Sequence, residues 1–99
     1  MCVFCDIVAG EVPAHVVFED EVSLAFLDLR PLFPGHTLLA PKVHVETLGD
    51  LPDELIVPYF SAARLLSRAM EEVLDAQGSF VAMNNKVSQS VPHLHVHVV

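Results

Sequence analysis

The sequence predicts an α+β domain: a five-stranded, mainly antiparallel sheet, one long helix and a short amino-terminal helical turn. Three observations predict it. Short segments rich in branched aliphatic residues, such as HVVFED, are strand-like, and PHLHVHVV alternates apolar and polar positions. From about Leu51 the apolar period changes to three and four residues. Strand-like runs grouped around one long helix, not alternating with several, argue for α+β and against a parallel doubly wound sheet.

In chain order, CVFCDIVAGEVPA gives the helical turn, punctuated by Gly10 and Pro13. HVVFED and EVSLAFLD form a hairpin joined at Asp20 and Glu21. RPLFPG breaks regular structure, and a third strand runs from His36 to about Lys42, followed by the connection VHVETLGD. In the helix, Leu55, Ile56, Tyr59, Phe60, Ala63, Leu66, Met70, Val73 and Leu74 form the apolar stripe. Pro52 suits its first turn, and Asp50 or Asp53 its positive end. Pro58 predicts a kink, or a short turn before a main helix that begins there. Gly78 is the expected C′ residue. SFVAMNN is the fourth strand, KVSQSV a polar loop and PHLHVHVV the fifth strand.

Ninety-nine residues, 53% of them apolar, make one domain near the lower end of sizes that build a full core unaided, so a metal or a dimer interface is expected to help. A formal charge of −8 leaves no basic stripe for a polynucleotide, whereas a small nucleotide needs only local donors. No stretch has the length of an apolar membrane span and the amino terminus lacks a secretory pattern, so a cytoplasmic protein is expected. In that compartment Cys2 and Cys5, a C-x-x-C pair, suit metal or redox exchange better than a standing disulfide.

The alternation in PHLHVHVV puts Leu94, Val96 and Val98 on one face and His93, His95 and His97 on the other, roughly 6.5 to 7 Å apart along the strand. Three charged imidazoles there would repel, so neutral rings, a bound anion or a metal is required near neutral pH. Neutral imidazoles ligate metal, move protons or attack as nucleophiles. Cys2, Cys5, His44 and one strand histidine make a closed tetrahedral set of the structural zinc kind; the competing reading is a pair of small apolar residues without metal. His36 is either a surface residue or part of the same cavity, and His15 an ordinary hairpin residue. Asn84, Asn85, Ser88, Gln89 and Ser90 supply uncharged groups that bind phosphate oxygens, or form a solvated loop around Lys86.

With CVFCDIVAGEVP, FEDEVSLAFLDLRPLFPGHTLLAPKVH and QSVPHLHVHVV in order, the sequence resembles the histidine-triad (HIT) family over almost its whole length. Within the family it is similar to the zinc-binding, Hint-like branch of nucleotide phosphoramidases and nucleotidyl hydrolases. The resemblance implies that His95 attacks an α-phosphorus and forms a nucleotidyl-imidazole intermediate that water resolves. It gives His97 and His36 to groups around the phosphate, and His93, with Cys2, Cys5 and His44, to a structural zinc. Asp28 matches the acceptor of ribose hydroxyls. Asn84 or Asn85, Gln89 and Ser90 match the amide and polar pair near the phosphate and leaving group. Phe4, Ile7, Phe18, Phe26 and Leu27 correspond to the wall of the base pocket. A homodimer is a further implication.

Two departures stand out. The family commonly has a glycine-rich N-G-x-x-A-G-Q before the triad, whereas NNKVSQ is shorter and has no glycine. The family also continues past the triad, so a single domain without its C-terminal tail is expected over residues 1–99. The leading expectation is an enzyme cleaving nucleoside-phosphate-X substrates, purine nucleoside phosphoramidates or dinucleoside polyphosphates, with the acidic surface favouring small leaving groups. The rival is a zinc-stabilised nucleotide-binding interaction module with little catalysis. Metal catalysis of the cupin kind ranks below both, because no carboxylate stands beside the triad.

Overall fold

The computed structural model describes residues 2–99. Cys2 caps the first helix, α1 (Val3–Val8), by accepting the Cys5 N–H on its sulfur at 3.4 Å, and Gly10 follows at φ 79°. The capping contact gives the C-x-x-C pair a local fold of its own. The hairpin strands β1 (Val16–Glu19) and β2 (Ser23–Leu27) are antiparallel. Asp20 organises their turn, its Oδ1 accepting the Val22 and Ser23 N–H groups at 2.9 and 2.7 Å. That Asx turn makes the connection one residue wider than expected, because Val22 belongs to the turn.

Strand β3 (Thr37–Pro41) pairs with β2, and β5 (Val96–Val98) lies between β3 and β4 (Val81–Ala82), giving the antiparallel order β1-β2-β3-β5-β4. The last two strands are shorter than the sequence pattern suggests. Continuing the register Leu39↔Val96 would set Leu94 opposite Pro41, which has no N–H to offer, and Leu94 donates instead to the Val45 carbonyl at 2.7 Å. His93 and His95 therefore precede β5, while His97 lies within it.

The long helix α2 (Asp53–Val73) runs through Pro58 without interruption, so a separate helix beginning at Pro58 is not what forms. It ends before Gly78: Asp75 takes the left-handed conformation at φ 55°, one of the few roles in which aspartate substitutes for glycine. The core divides across the sheet. Tyr59, Ala62, Ala63, Leu66 and Met70 of α2 pack with Ala25, Leu39, Leu94, Val96 and Val98 on one face. Phe4 of α1 packs with Leu24, Phe26, Leu38 and Ala40 on the other. The Leu94/Val96/Val98 half of the alternation thus faces α2, and the histidine half is left to the α1 side. Among the described residues no helix is long and apolar enough to cross a membrane.

Candidate active site and metal centre

Two clusters of side chains flank Phe4. In the first, the Cys2 sulfur lies 3.3 Å and the Cys5 sulfur 3.5 Å from Nδ1 of His93; Nδ1 of His44 is 3.2 Å from both the Cys5 sulfur and His93 Nδ1. Nε2 of His93 lies 2.8 Å from the Pro41 carbonyl oxygen, which accepts only, so the ring proton is on Nε2 and the Nδ1 lone pair points into the cluster. A tetrahedral ion with bonds of about 2.0 Å to nitrogen and about 2.3 Å to sulfur has ligand–ligand edges of about 3.3 to 3.8 Å. The donors sit close to those separations, and two imidazole nitrogens face each other with no shared acceptor, so the set fits zinc. Burial, reinforced by the hydrogen bond and charge of Cys2, pushes the Cys5 thiol up from its ordinary value; a bound cation reverses that balance by stabilising the thiolate. His93 is fully buried and its pKa is lowered, chiefly by desolvation, which suits a neutral ligand.

The second cluster holds His95, His97, His36 and Asp28. His95 is 3% exposed, its ring edge-to-face with Phe4 at a centroid separation of 5.0 Å. Its Nδ1 is 2.8 Å from the His93 carbonyl oxygen, so Nδ1 carries the proton and Nε2 keeps its lone pair. One residue thus links both clusters: the His93 ring faces the cysteines while its carbonyl fixes the tautomer of His95. His97 meets His95 edge-to-face at a centroid separation of 5.0 Å, and its Nδ1 is 3.0 Å from Nε2 of His36. Asp28 Oδ2 lies 3.6 Å from the same His36 nitrogen, and Asp28 Oδ1 accepts the Arg30 N–H at 3.0 Å. Desolvation, then the charges of His95 and His36, lower the His97 pKa against the opposing pull of Asp28.

Cavities open on both sides of this cluster. One, of about 280 Å³, is walled by Phe4, Ile7, Phe26 and Leu27 and reaches Asp28; the other, of about 390 Å³, meets His36, His97 and Asn84. Arg30 lines both. Phe18 does not join the first cavity, because it packs on the α2 face of the sheet. Asn85 and Gln89 are held elsewhere, with Asn85 Oδ1 accepting the Leu48 N–H at 2.7 Å and the Gln89 amide donating to the Glu46 carbonyl at 2.7 Å. Ser90 is exposed. In this glycine-free loop Lys86 and Ser88 take φ values of 69° and 58°, conformations that glycine adopts without steric cost. Arg30 and the Pro41 carbonyl escaped the sequence reading. Arg30 had one faint signal, its place two residues after Asp28 in an acidic chain; a backbone acceptor has none.

The HIT domain family matches residues 9–99. A protein of Bacillus subtilis named "Protein hit" is 42% identical over 100 residues, covering 99% of this chain and 69% of its own length. An adenosine 5′-monophosphoramidase of Saccharomyces cerevisiae is 37% identical, covering 99% of this chain and 61% of its own length. An adenylylsulfatase of Arabidopsis thaliana is 34% identical, covering 99% and 51%. Among solved structures, a HIT family protein from Bacillus subtilis superposes with a TM-score of 0.94 at 42% identity, over 99% of this chain and 71% of that one. A zinc-bound histidine triad family protein from Mycobacterium smegmatis gives 0.92 at 42%, over 99% and 73%.

Proposed function

This chain belongs to the HIT domain family, and from that membership we propose that it is a nucleotide hydrolase or transferase that cleaves nucleoside-phosphate-X substrates through a nucleotidyl-His95 intermediate. One observation carries the reading: the His93 carbonyl holds the proton of His95 on Nδ1, leaving Nε2 as a neutral nucleophile in a largely dry site. Relatives named as a phosphoramidase and an adenylylsulfatase support the substrate class, an adenylyl group joined to nitrogen or to an acid oxygen.

In the first step Nε2 of His95 forms a bond to the α-phosphorus and the P–X bond breaks, its electron pair leaving with X. The attached imidazole becomes cationic, and its Nδ1–H stays on the His93 carbonyl. In the second step water forms the new P–O bond, the P–N bond breaks, and neutral His95 returns as the water's protons pass to solvent. The cavity behind Phe4 suits the base, Asp28 the ribose hydroxyls, and the cavity beside His97 the group X. Zinc held by Cys2, Cys5, His44 and His93 would neutralise the thiolates and fix α1 against the segment that carries His95 into β5. The acidic balance argues against a polynucleotide partner. Exposed Ile56 and Val57, which with Phe60 line one open groove on α2, support a homodimer, checked by light scattering.

Intact-protein mass spectrometry after brief incubation with an adenosine phosphoramidate tests the reaction. A nucleotidyl adduct is expected on the wild-type chain and not on His95→Ala. Binding without adduct or turnover would return the protein to the rival reading, a zinc-stabilised nucleotide-binding module. That reading is favoured by the glycine-free loop, whose Asn85 and Gln89 face residues 46–48 and not the triad.

A further inference from the structure

His97 flanks the leaving-group cavity, and its protonation state there is decided by a residue with no side chain in the cluster. The segment between Asp28 and His36 brings the Leu32 N–H to Nδ1 of His36, a ring only 4% exposed, at 3.1 Å. An N–H can only donate, so His36 Nδ1 is an acceptor and the single proton of this neutral ring is on Nε2. The Nε2 that bears it lies 3.0 Å from His97 Nδ1 and, more distantly, 3.6 Å from Asp28 Oδ2. His97 Nδ1 must then be unprotonated, and its own proton sits on Nε2. A cationic His97 would set one N–H against another.

We infer that the Leu32 N–H is a tautomer lock, transmitted through His36, that holds His97 neutral and makes it a hydrogen-bond donor to the reacting phosphate rather than a general acid. The inference rests on the phosphoryl-transfer reading for its consequence, not for its geometry. If neutral His97 gave up its Nε2 proton while Nδ1 stayed an acceptor, an imidazolate anion would result, so X must leave without a full proton from His97. The substrates best served have a stable leaving group, such as an acid anhydride of a nucleoside monophosphate, or an amine that takes its proton from solvent. The charged and titratable groups facing His97 are His36, His95, Asp28 and Arg30. Asp28 alone favours its cation, and burial with the two neighbouring imidazoles outweighs it.

Histidine 15N NMR of the resting protein reads the lock without turnover. Both His36 and His97 should carry the proton on Nε2, with a coupling across the Leu32 N–H to His36 Nδ1; Nδ1–H on either ring overturns the inference. Leu32→Pro, which deletes the donor, should turn His36 into a mixture of tautomers, and if it fails to fold the wild-type coupling decides. His36→Gln keeps a donor near the Nε2 position and should hold kcat within about threefold, whereas the shorter His36→Asn should lose about tenfold to a hundredfold in kcat with little change in KM. Equal losses in the two variants count against the lock. Across aryl esters of adenosine monophosphate, kcat/KM should climb steeply with leaving-group acidity; a shallow slope together with a kcat that falls as pH rises, the fall beginning below pH 6.5 because the His97 pKa is lowered, would make His97 the acid after all. A normal NMR signature with no turnover on any ester sinks the proposed reaction and leaves the lock standing.

Discussion

At the scale of the residue, one buried side-chain group among the described residues is unsatisfied. The Ser23 hydroxyl, on β2, is fully buried with no hydrogen-bond partner. Ser23→Ala should therefore raise stability by about 1 kcal/mol, seen as a higher denaturant midpoint at an unchanged slope. His97 makes a pH prediction. Its pKa in the folded chain is lowered from 6.5, so between the two values the unfolded chain binds a proton that the folded chain refuses. The stability is complete above about pH 6.5 and is lost as pH falls toward the folded value. His97→Asn should flatten this acid-side loss when melting temperatures at pH 7.5 and 5.5 are compared.

At the scale of the element, the long loop before β3 and the end of α2 hold each other. Gly35 has φ 89°, and a side-chain carbon there would collide with Leu74. Gly35→Ala should cost about 1–3 kcal/mol and, because His36 follows directly, depress kcat as well; thermal melts and turnover check the two effects separately. Tyr59 ties α2 to β3, its buried hydroxyl donating to the Leu39 carbonyl at 2.7 Å, and burial pushes its pKa up. Tyr59→Phe should lower stability by about 1 kcal/mol without changing metal content.

At the scale of the whole molecule, residues far apart in sequence meet at one point. Cys2 and His93 are 91 positions apart yet 3.3 Å from each other, so metal held there closes one long loop. Cys2→Ser should abolish stoichiometric zinc and lower the melting temperature by about 10 °C or more, and a chelator should do the same to the wild-type chain. Unchanged metal content and melting in Cys2→Ser would rule out the four-ligand site. Because Phe4 of α1 packs edge-on against both His93 and His95, the same variant should also slow adduct formation.

The sequence by itself determined the fold class, the α2 stripe and the division of PHLHVHVV between opposite faces of the sheet, because periodicity follows directly from backbone geometry. The residues alone suggested Cys2, Cys5 and His44 with one strand histidine, and family likeness chose His93 for that set; nothing in the sequence paired Asp28 with His36. Tertiary structure decided what depends on backbone atoms of distant residues. Examples are the carbonyl of Pro41 that aims His93 and the N–H of Leu32 that sets His36. Every residue carries the same carbonyl and nearly every one the same N–H, so no sequence pattern tells which of them will face an imidazole.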